Sequence, residues 1–307
     1  MTTDHTPEDT ADKGTPRSDP RRNRRRIGIV AAAGVVAVAI AGTIAAIAIG
    51  AATDPATVTA TSKPAHDVEV PNLTQEDLDA LPAATYNAVI PELLAYKDVD
   101  MTSITAAYTA KSGDVPVFGV DQKTPVAKLP AANFLNQPTV IVPVTTSKQW
   151  ALVLTPARQT KPSQTDGDAA AQTAGWVPLS ALEKSATLDA TVTVSVSKQT
   201  LTIMRGSEKV TYKVGVGTTK TPTPTGTTGY LQARYEDTAQ ADFPIQLTSL
   251  HSAAADDPMG GSDGGLIAAH YNSTNSGAVS HGCIRLTAAA LAAVNQLPLG
   301  TPVSFAD

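Results

Sequence analysis

The 307-residue chain predicts a mainly β protein. The reading is an antiparallel β-sandwich module at the C-terminal end, preceded by a small β-barrel, a short helical region and one N-terminal transmembrane helix. Three observations predict it. Val192, Val194 and Val196 alternate with polar residues, and Leu201–Ile203 and Val210–Tyr212–Val214–Val216 repeat that period of two, as half-buried strands do. Between Val115 and Leu179, short apolar runs are separated by polar loops holding Pro, Gly or Asn, as in a compact all-β module. From Ile27 to Gly50 every residue is Ile, Val, Ala, Gly or Thr.

Residues 1–26 are polar, lack apolar periodicity and end in Arg21-Arg22-Asn23-Arg24-Arg25-Arg26, which reads as a disordered cytoplasmic tail. The uncharged run 27–50 exceeds the roughly 20 residues a bilayer-spanning helix needs. It is also longer than the roughly 7–15 apolar residues of a cleaved signal peptide. Small residues near Ala46–Ala52 leave cleavage open, and a buried soluble helix fits poorly beside so many flanking charges. The arginines on its N-terminal side put that end inside and the remainder outside, a single-pass protein of the cell membrane. Seven basic and five acidic residues lie in 1–26, leaving 16 basic and 23 acidic groups for the exported part. That acidic balance has no clustered basic face, so nucleic acid is not an expected partner.

Residues 51–75, rich in Ala, Thr, Pro and Asp, read as a tether. Residues 76–112 carry apolar groups at near-helical spacing, cut into short pieces by Pro82 and Pro91. The next module spans 113–185 through "VPVFGV", "TVIVPV", "WALVL" and "GWVPL", with 157–174 as a surface loop. "GWVPL" resembles the closing strand of bacterial SH3-like domains. The module is then either a wall-binding spacer or a structural unit whose tryptophans fill its core, and the core reading is preferred. In the C-terminal module, 188–307, residues 217–229 form a loop dense in Thr, Pro and Gly. Residues 251–266 form a Gly-rich loop, either a lid or a surface loop. Residues 287–296 form a short helix, and 301–305 a last strand.

Cys283 is the only cysteine, so no intramolecular disulfide is available. It stands in Ser280-His281-Gly282-Cys283-Ile284-Arg285-Leu286. A lone cysteine is commonly a small buried hydrophobe. Against that stand Gly282, which permits a sharp turn and close approach, and three successive N–H groups at 281–283 able to meet an oxyanion. His270 lies upstream to take the thiol proton. From spacing alone, nucleophile and buried thiol remain open.

"IAAH" at 267–270, "VSHGCIRL" at 279–286 and "TPTPTG" at 221–226 together resemble the YkuD-type L,D-transpeptidase family, from Leu188 to the C-terminus. The resemblance implies a YkuD-like sandwich, with Cys283 as nucleophile, His281 and Gly282 as its neighbours in the catalytic set and His270 as base. It also implies a substrate: the peptide stems of peptidoglycan. Attack on a tetrapeptide stem would expel the terminal D-Ala and leave a thioester at the third residue, which an amine of a second stem resolves into a cross-link. The same resemblance points to Tyr230, on an aromatic strand after the 221–226 loop, as lining the substrate cleft. In one respect the chain departs from the family. The gap from His270 to Ser280 is short, and Tyr271 stands where a small residue is usual, its backbone carbonyl still able to orient the base. His251 is the reserve base.

Three further side chains flank the nucleophile. His281 either tunes the thiolate or holds the loop by a hydrogen bond, the second being preferred. Ser280 is placed with the substrate-binding set, its hydroxyl orienting a neighbour. Arg285 either binds a substrate carboxylate or anchors the loop in a buried ion pair. Rival chemistries fit less well. No Cys-x-x-Cys or His-Glu-x-x-His occurs, so neither metal nor cofactor is expected. Gly-x-Ser-x-Gly is absent, which disfavours a serine hydrolase. A carboxypeptidase using water as acceptor, and a wall-binding protein that has lost turnover, are the alternative functions.

Overall fold

The computed structural model describes residues 56–307, except 60, 61, 63–67, 239, 241–242 and 259–263. The tail 1–26, the apolar run 27–50 and the first part of the 51–75 tether lie outside the described residues. Among the described residues, no helix is long and apolar enough to cross a membrane.

The N-terminal half is built on a seven-stranded sheet. Its strands are β1 (Thr57–Val58), β2 (Leu94–Tyr96), β4 (Val115–Phe118), β5 (Pro125–Leu129), β6 (Val142–Thr146), β7 (Trp150–Thr155) and β8 (Thr173–Pro178). β3 (Ala106–Ala110) pairs separately with β9 (Leu182–Thr187). Two expectations are corrected here. The region 76–112 holds a single five-residue helix, α1 (Gln75–Asp79), started by a Thr74–Asp77 capping box. Pro82 and Pro91 deny a longer helix its N–H donors, and the chain beyond turns extended as β2 and β3. The tether is also not wholly a spacer, because Thr57–Val58 pairs in parallel with Ala95–Tyr96. The unit therefore reaches beyond 113–185, and an isolated barrel over those residues is not what is seen. Trp150 and Trp176 are buried, with Phe118 set edge-on to Trp150 at 5.0 Å. Trp150 Nε1–H donates to Val68 O at 2.7 Å, satisfying the polar end of a buried indole.

The C-terminal half is a ten-stranded sheet. It comprises β10 (Ala190–Ser195), β11 (Thr200–Arg205), β12 (Glu208–Lys213), β13 (Gly215–Gly217), β14 (Thr227–Tyr235), β15 (Ile245–His251), β16 (Leu266–Tyr271), β17 (Gly277–Ser280), β18 (Ile284–Leu286) and β19 (Pro302–Ala306). Their order is β12-β11-β10-β19-β14-β15-β16-β18-β13-β17. The nine-residue β14 joins the two wings. Val192, Val194 and Leu201 from one wing and Leu231, Ile267 and Ile284 from the other enter a single core, so the sheet is folded over on itself. Helix α2 (Ala288–Asn295), capped by Thr287 accepting from Ala290 N at 3.2 Å, closes that core with Ala290, Leu291 and Val294.

The period-of-two reading holds for β10 and β11, whose alternate residues are buried. It fails at Val210, 48% exposed on β12, the edge strand of the sheet among the described residues. The sheet is also not wholly antiparallel: β10–β19, β13–β17 and β16–β18 pair in parallel. The last of these pairs positions the site.

Candidate active site

β16 and β18 run side by side with Ala269 opposite Ile284 and His270 opposite Arg285. Side chains alternate along a strand, and opposed residues of a parallel pair share a face. Ile267 and Ile284 go into the core, which leaves His270 and Arg285 on the outer face. Cys283 comes immediately before β18, two residues ahead of Arg285. Its Sγ lies 4.0 Å from Leu266 O, the outer limit of a thiol hydrogen bond, and the residue is only partly buried.

The His270 ring has a defined tautomer and charge. His270 Nδ1 lies 2.9 Å from Tyr271 O. A carbonyl only accepts, so Nδ1 carries the proton and Nε2 is left with its lone pair free to receive one. Burial is the main cause holding the ring's pKa below the ordinary histidine value, and the Arg285 cation adds to it. The Tyr271 hydrogen bond and Asp237 oppose them. The imidazole is therefore neutral near pH 7, the form that accepts a proton.

The short link between His270 and Ser280 is accommodated by a tight polar turn. Asn272 N donates to Leu286 O at 3.1 Å, Thr274 N to Asn272 Oδ1 at 2.9 Å, and Asn275 Nδ2 to Asn272 O at 2.9 Å. Gly277, at φ +86°, then starts β17 while donating to Gln199 Oε1 at 3.1 Å. Only about one turn's worth of chain is needed, because the polypeptide goes from β16 into β17 without a further excursion.

Ser280 orients its neighbours through its hydroxyl, as expected. It is 2% exposed, and its hydroxyl donates to Cys283 O at 2.6 Å while accepting from Gly282 N at 3.1 Å. Both capacities are used inside the turn, so Ser280 braces the nucleophile loop. The same bond commits the Gly282 N–H, which removes one of the three donors assigned to an oxyanion. Gly282 itself sits at φ +113°, and an added Cβ would lie 2.9 Å from Ile267 Cδ1; both demand glycine.

His281 is exposed, and its ring makes no hydrogen bond among the described residues, so it does not hold the loop. Instead the loop is held from outside by a residue the sequence did not single out. Thr223 Oγ1 donates to Gly282 O at 2.7 Å and accepts from Gly217 N at 2.9 Å. Thr218 N and Thr221 Oγ1 reach Ser280 O at 3.0 and 3.4 Å. The "TPTPTG" pattern was the available signal, but it did not tell which hydroxyl faced inward.

Two candidates lie elsewhere. Tyr230 is 1% exposed and packs in the core of the N-terminal module with Trp150 and Trp176, because β14 turns that face toward them. His251 is 1% exposed, and its Nε2–H donates to Tyr86 O at 2.8 Å. Burial first, then the Arg158 cation, push its pKa down to about 3 against the Tyr86 hydrogen bond. It is a neutral structural donor, and the reserve role lapses. Arg285 finds no ion pair among the described residues. Its Nε is buried without a hydrogen-bond partner, so the loop-anchoring ion pair is not formed. Among the described residues, no group of three His, Cys, Asp or Glu could hold a metal.

Residues 189–304 match the family model described as the YkuD, L,D-transpeptidase catalytic domain. The C-terminal half is a YkuD domain. No curated protein matches the chain. Solved structures similar to it include an L,D-transpeptidase (Yku) from Stackebrandtia nassauensis, 17% identical over 40% of this chain and 57% of that one, TM-score 0.29. An L,D-transpeptidase from Mycobacterium smegmatis is 15% identical over 52% and 91%, TM-score 0.31. Mycobacterium tuberculosis L,D-transpeptidase 1 is 18% identical over 44% and 78%, TM-score 0.29. The chain spans just over half, 55% and 57%, of the first two structures matched. In the YkuD domain the chemistry available is acyl transfer to a thiol. A neutral imidazole and a guanidinium share one face of two adjacent strands, and the thiol stands directly before one of those strands, in a turn fixed by Ser280 and Thr223.

Proposed function

We propose that this protein is a membrane-anchored L,D-transpeptidase acting on peptidoglycan stem peptides at the outer side of the cell membrane. The observation that carries the reading is His270 on β16, its Nε2 unprotonated, in register with the strand that follows Cys283. Nε2 takes the thiol proton as Sγ attacks the carbonyl carbon of the third stem residue. The tetrahedral intermediate collapses with cleavage of the bond to the terminal D-Ala, whose amine leaves with the proton from His270. An amine of a second stem then attacks the thioester, and Cys283 is released as the thiol. Arg285, with its Nε unpartnered, binds a carboxylate or carbonyl of the stem. The outward placement rests on the arginine cluster before the apolar run 27–50.

The test is to incubate the full chain, in detergent, with a defined tetrapeptide stem, with and without an acceptor amine. D-Ala release together with a cross-linked product only when acceptor is present supports transpeptidation. Tripeptide as the sole product under both conditions identifies a carboxypeptidase instead.

A further inference from the structure

We infer that Arg158, in the N-terminal module, is a positioning residue for the Cys283 site, which it serves by clamping the loop between β15 and β16. The inference rests on the acyl-transfer reading above for its kinetic consequence, though not for its geometry.

Arg158 belongs to a segment expected to be a surface loop, yet it is 2% exposed. Its backbone is fixed, N donating to Ala88 O and O accepting from Ile90 N, each at 2.9 Å. From that base the guanidinium reaches across to the YkuD domain. Nε donates to Gly264 O at 2.7 Å, Nη1 to Ser252 O at 3.0 Å and Nη2 to Ala255 O at 3.1 Å. Ser252 and Ala255 are on the arm leaving β15, and Gly264 is on the arm entering β16. One planar group therefore draws both arms together, and Ser252 N closes them by donating to Gly265 O at 2.8 Å. Only a rigid fork of five N–H donors can satisfy three carbonyls so arranged; a lysine ammonium on a flexible stem cannot hold the same directions.

Two more contacts pin the loop to the same module. Asp256 accepts from Ser163 N at 2.9 Å and Ser163 Oγ at 2.7 Å. A Cβ on Gly264 would lie 2.8 Å from Tyr86 O, and one on Gly265 would collide with the Arg158 guanidinium. The residue after Gly265 is Leu266, whose carbonyl stands 4.0 Å from Cys283 Sγ. A shift of the clamp thus reaches the nucleophile through two residues of backbone, at a distance where small misplacements are costly in rate.

The experiment compares the full chain with Arg158→Ala, Arg158→Lys and Gly265→Ala. Two readouts are taken: alkylation of Cys283 by iodoacetamide as a function of pH, and kcat and KM for D-Ala release from a tetrapeptide stem. The expected result is a shifted alkylation profile and a kcat lowered about tenfold to a hundredfold with a smaller change in KM. Arg158→Lys should not rescue either. Folded Arg158→Ala protein with the wild-type alkylation profile and kcat overturns the inference. Should Arg158→Ala fail to fold, Asp256→Ala, which loosens the same loop from the exposed side, takes its place; a wild-type alkylation profile there overturns it equally. Absence of D-Ala release from the wild-type chain would sink the functional proposal alone, since the alkylation comparison needs no substrate.

Discussion

At the residue scale, the arrangement depends on which form the His270 ring takes. Burial and Arg285 lower its pKa, so the ring stays neutral below the ordinary histidine value and gains its proton only as pH falls further. Removing the Arg285 cation favours the charged ring, and the pKa rises. In Arg285→Gln the acid limb of the kcat/KM profile for D-Ala release is therefore expected at higher pH than in the wild type. An unmoved limb would show that the two side chains do not interact. Cys283 and His270 stood out in the sequence because their residue types are rare in this chain and lie in a specific motif. Tyr230 was misread because a sequence does not display burial. The Ser280 hydroxyl does orient its neighbours, as expected, with both its bonds inside the turn. A tyrosine after a substrate loop looks like cleft lining until its strand is seen to turn the other way.

At the element scale, the decisive feature is the parallel pairing of β16 and β18, which brings His270 and Arg285 into register. The alternation of apolar residues revealed strands, but period two carries no direction, and the parallel pairs could not be told from antiparallel ones. Near-helical spacing over 76–112 misled for a related reason: Leu93, Leu94 and Ile104 are buried by neighbouring strands, not by a helix face. The nucleophile turn is an element in its own right, braced by Thr223 from the 217–223 loop. Thr223→Val keeps the shape but leaves a buried N–H and a buried C=O without their partner, at about 1–3 kcal/mol each. Turnover is expected to fall about tenfold or more, with KM changing less. Steady-state kinetics with a stem tetrapeptide check this, and a rise in KM alone would place Thr223 in substrate binding instead.

At the scale of the whole molecule, the described residues, all within 56–307, belong to one compact unit. Tyr230 and Leu188 of the C-terminal half complete the core around Trp150 and Trp176. Gln172 joins the halves through Ser249 Oγ, which donates to its Oε1 at 2.6 Å and accepts from Tyr230 N at 3.0 Å. Tyr230→Ala is accordingly expected to cost about 3 kcal/mol or more in stability by cavity formation, read as a lower denaturant midpoint. A KM effect at unchanged stability would return Tyr230 to the cleft. His251 makes the same junction sensitive to acid. Its folded pKa is about 3 against an ordinary 6.5, so between those values the unfolded chain binds the extra proton and the folded one does not. Its contribution is whole above pH 6.5 and declines as pH falls toward 3. The wild-type urea midpoint should drop more steeply between pH 7 and 4.5 than that of His251→Gln; equal slopes would remove His251 as the cause. None of this junction was legible, since its contacts join residues as distant in sequence as Tyr86 and His251.

The most direct measurement is the intact mass of the full chain after brief exposure to a tetrapeptide stem without acceptor. The expected result is an adduct equal to the stem less its D-Ala, joined to Cys283 as a thioester, and its loss in Cys283→Ala with the fold intact. No adduct on the folded wild-type chain, or an adduct that survives in Cys283→Ala, would contradict it.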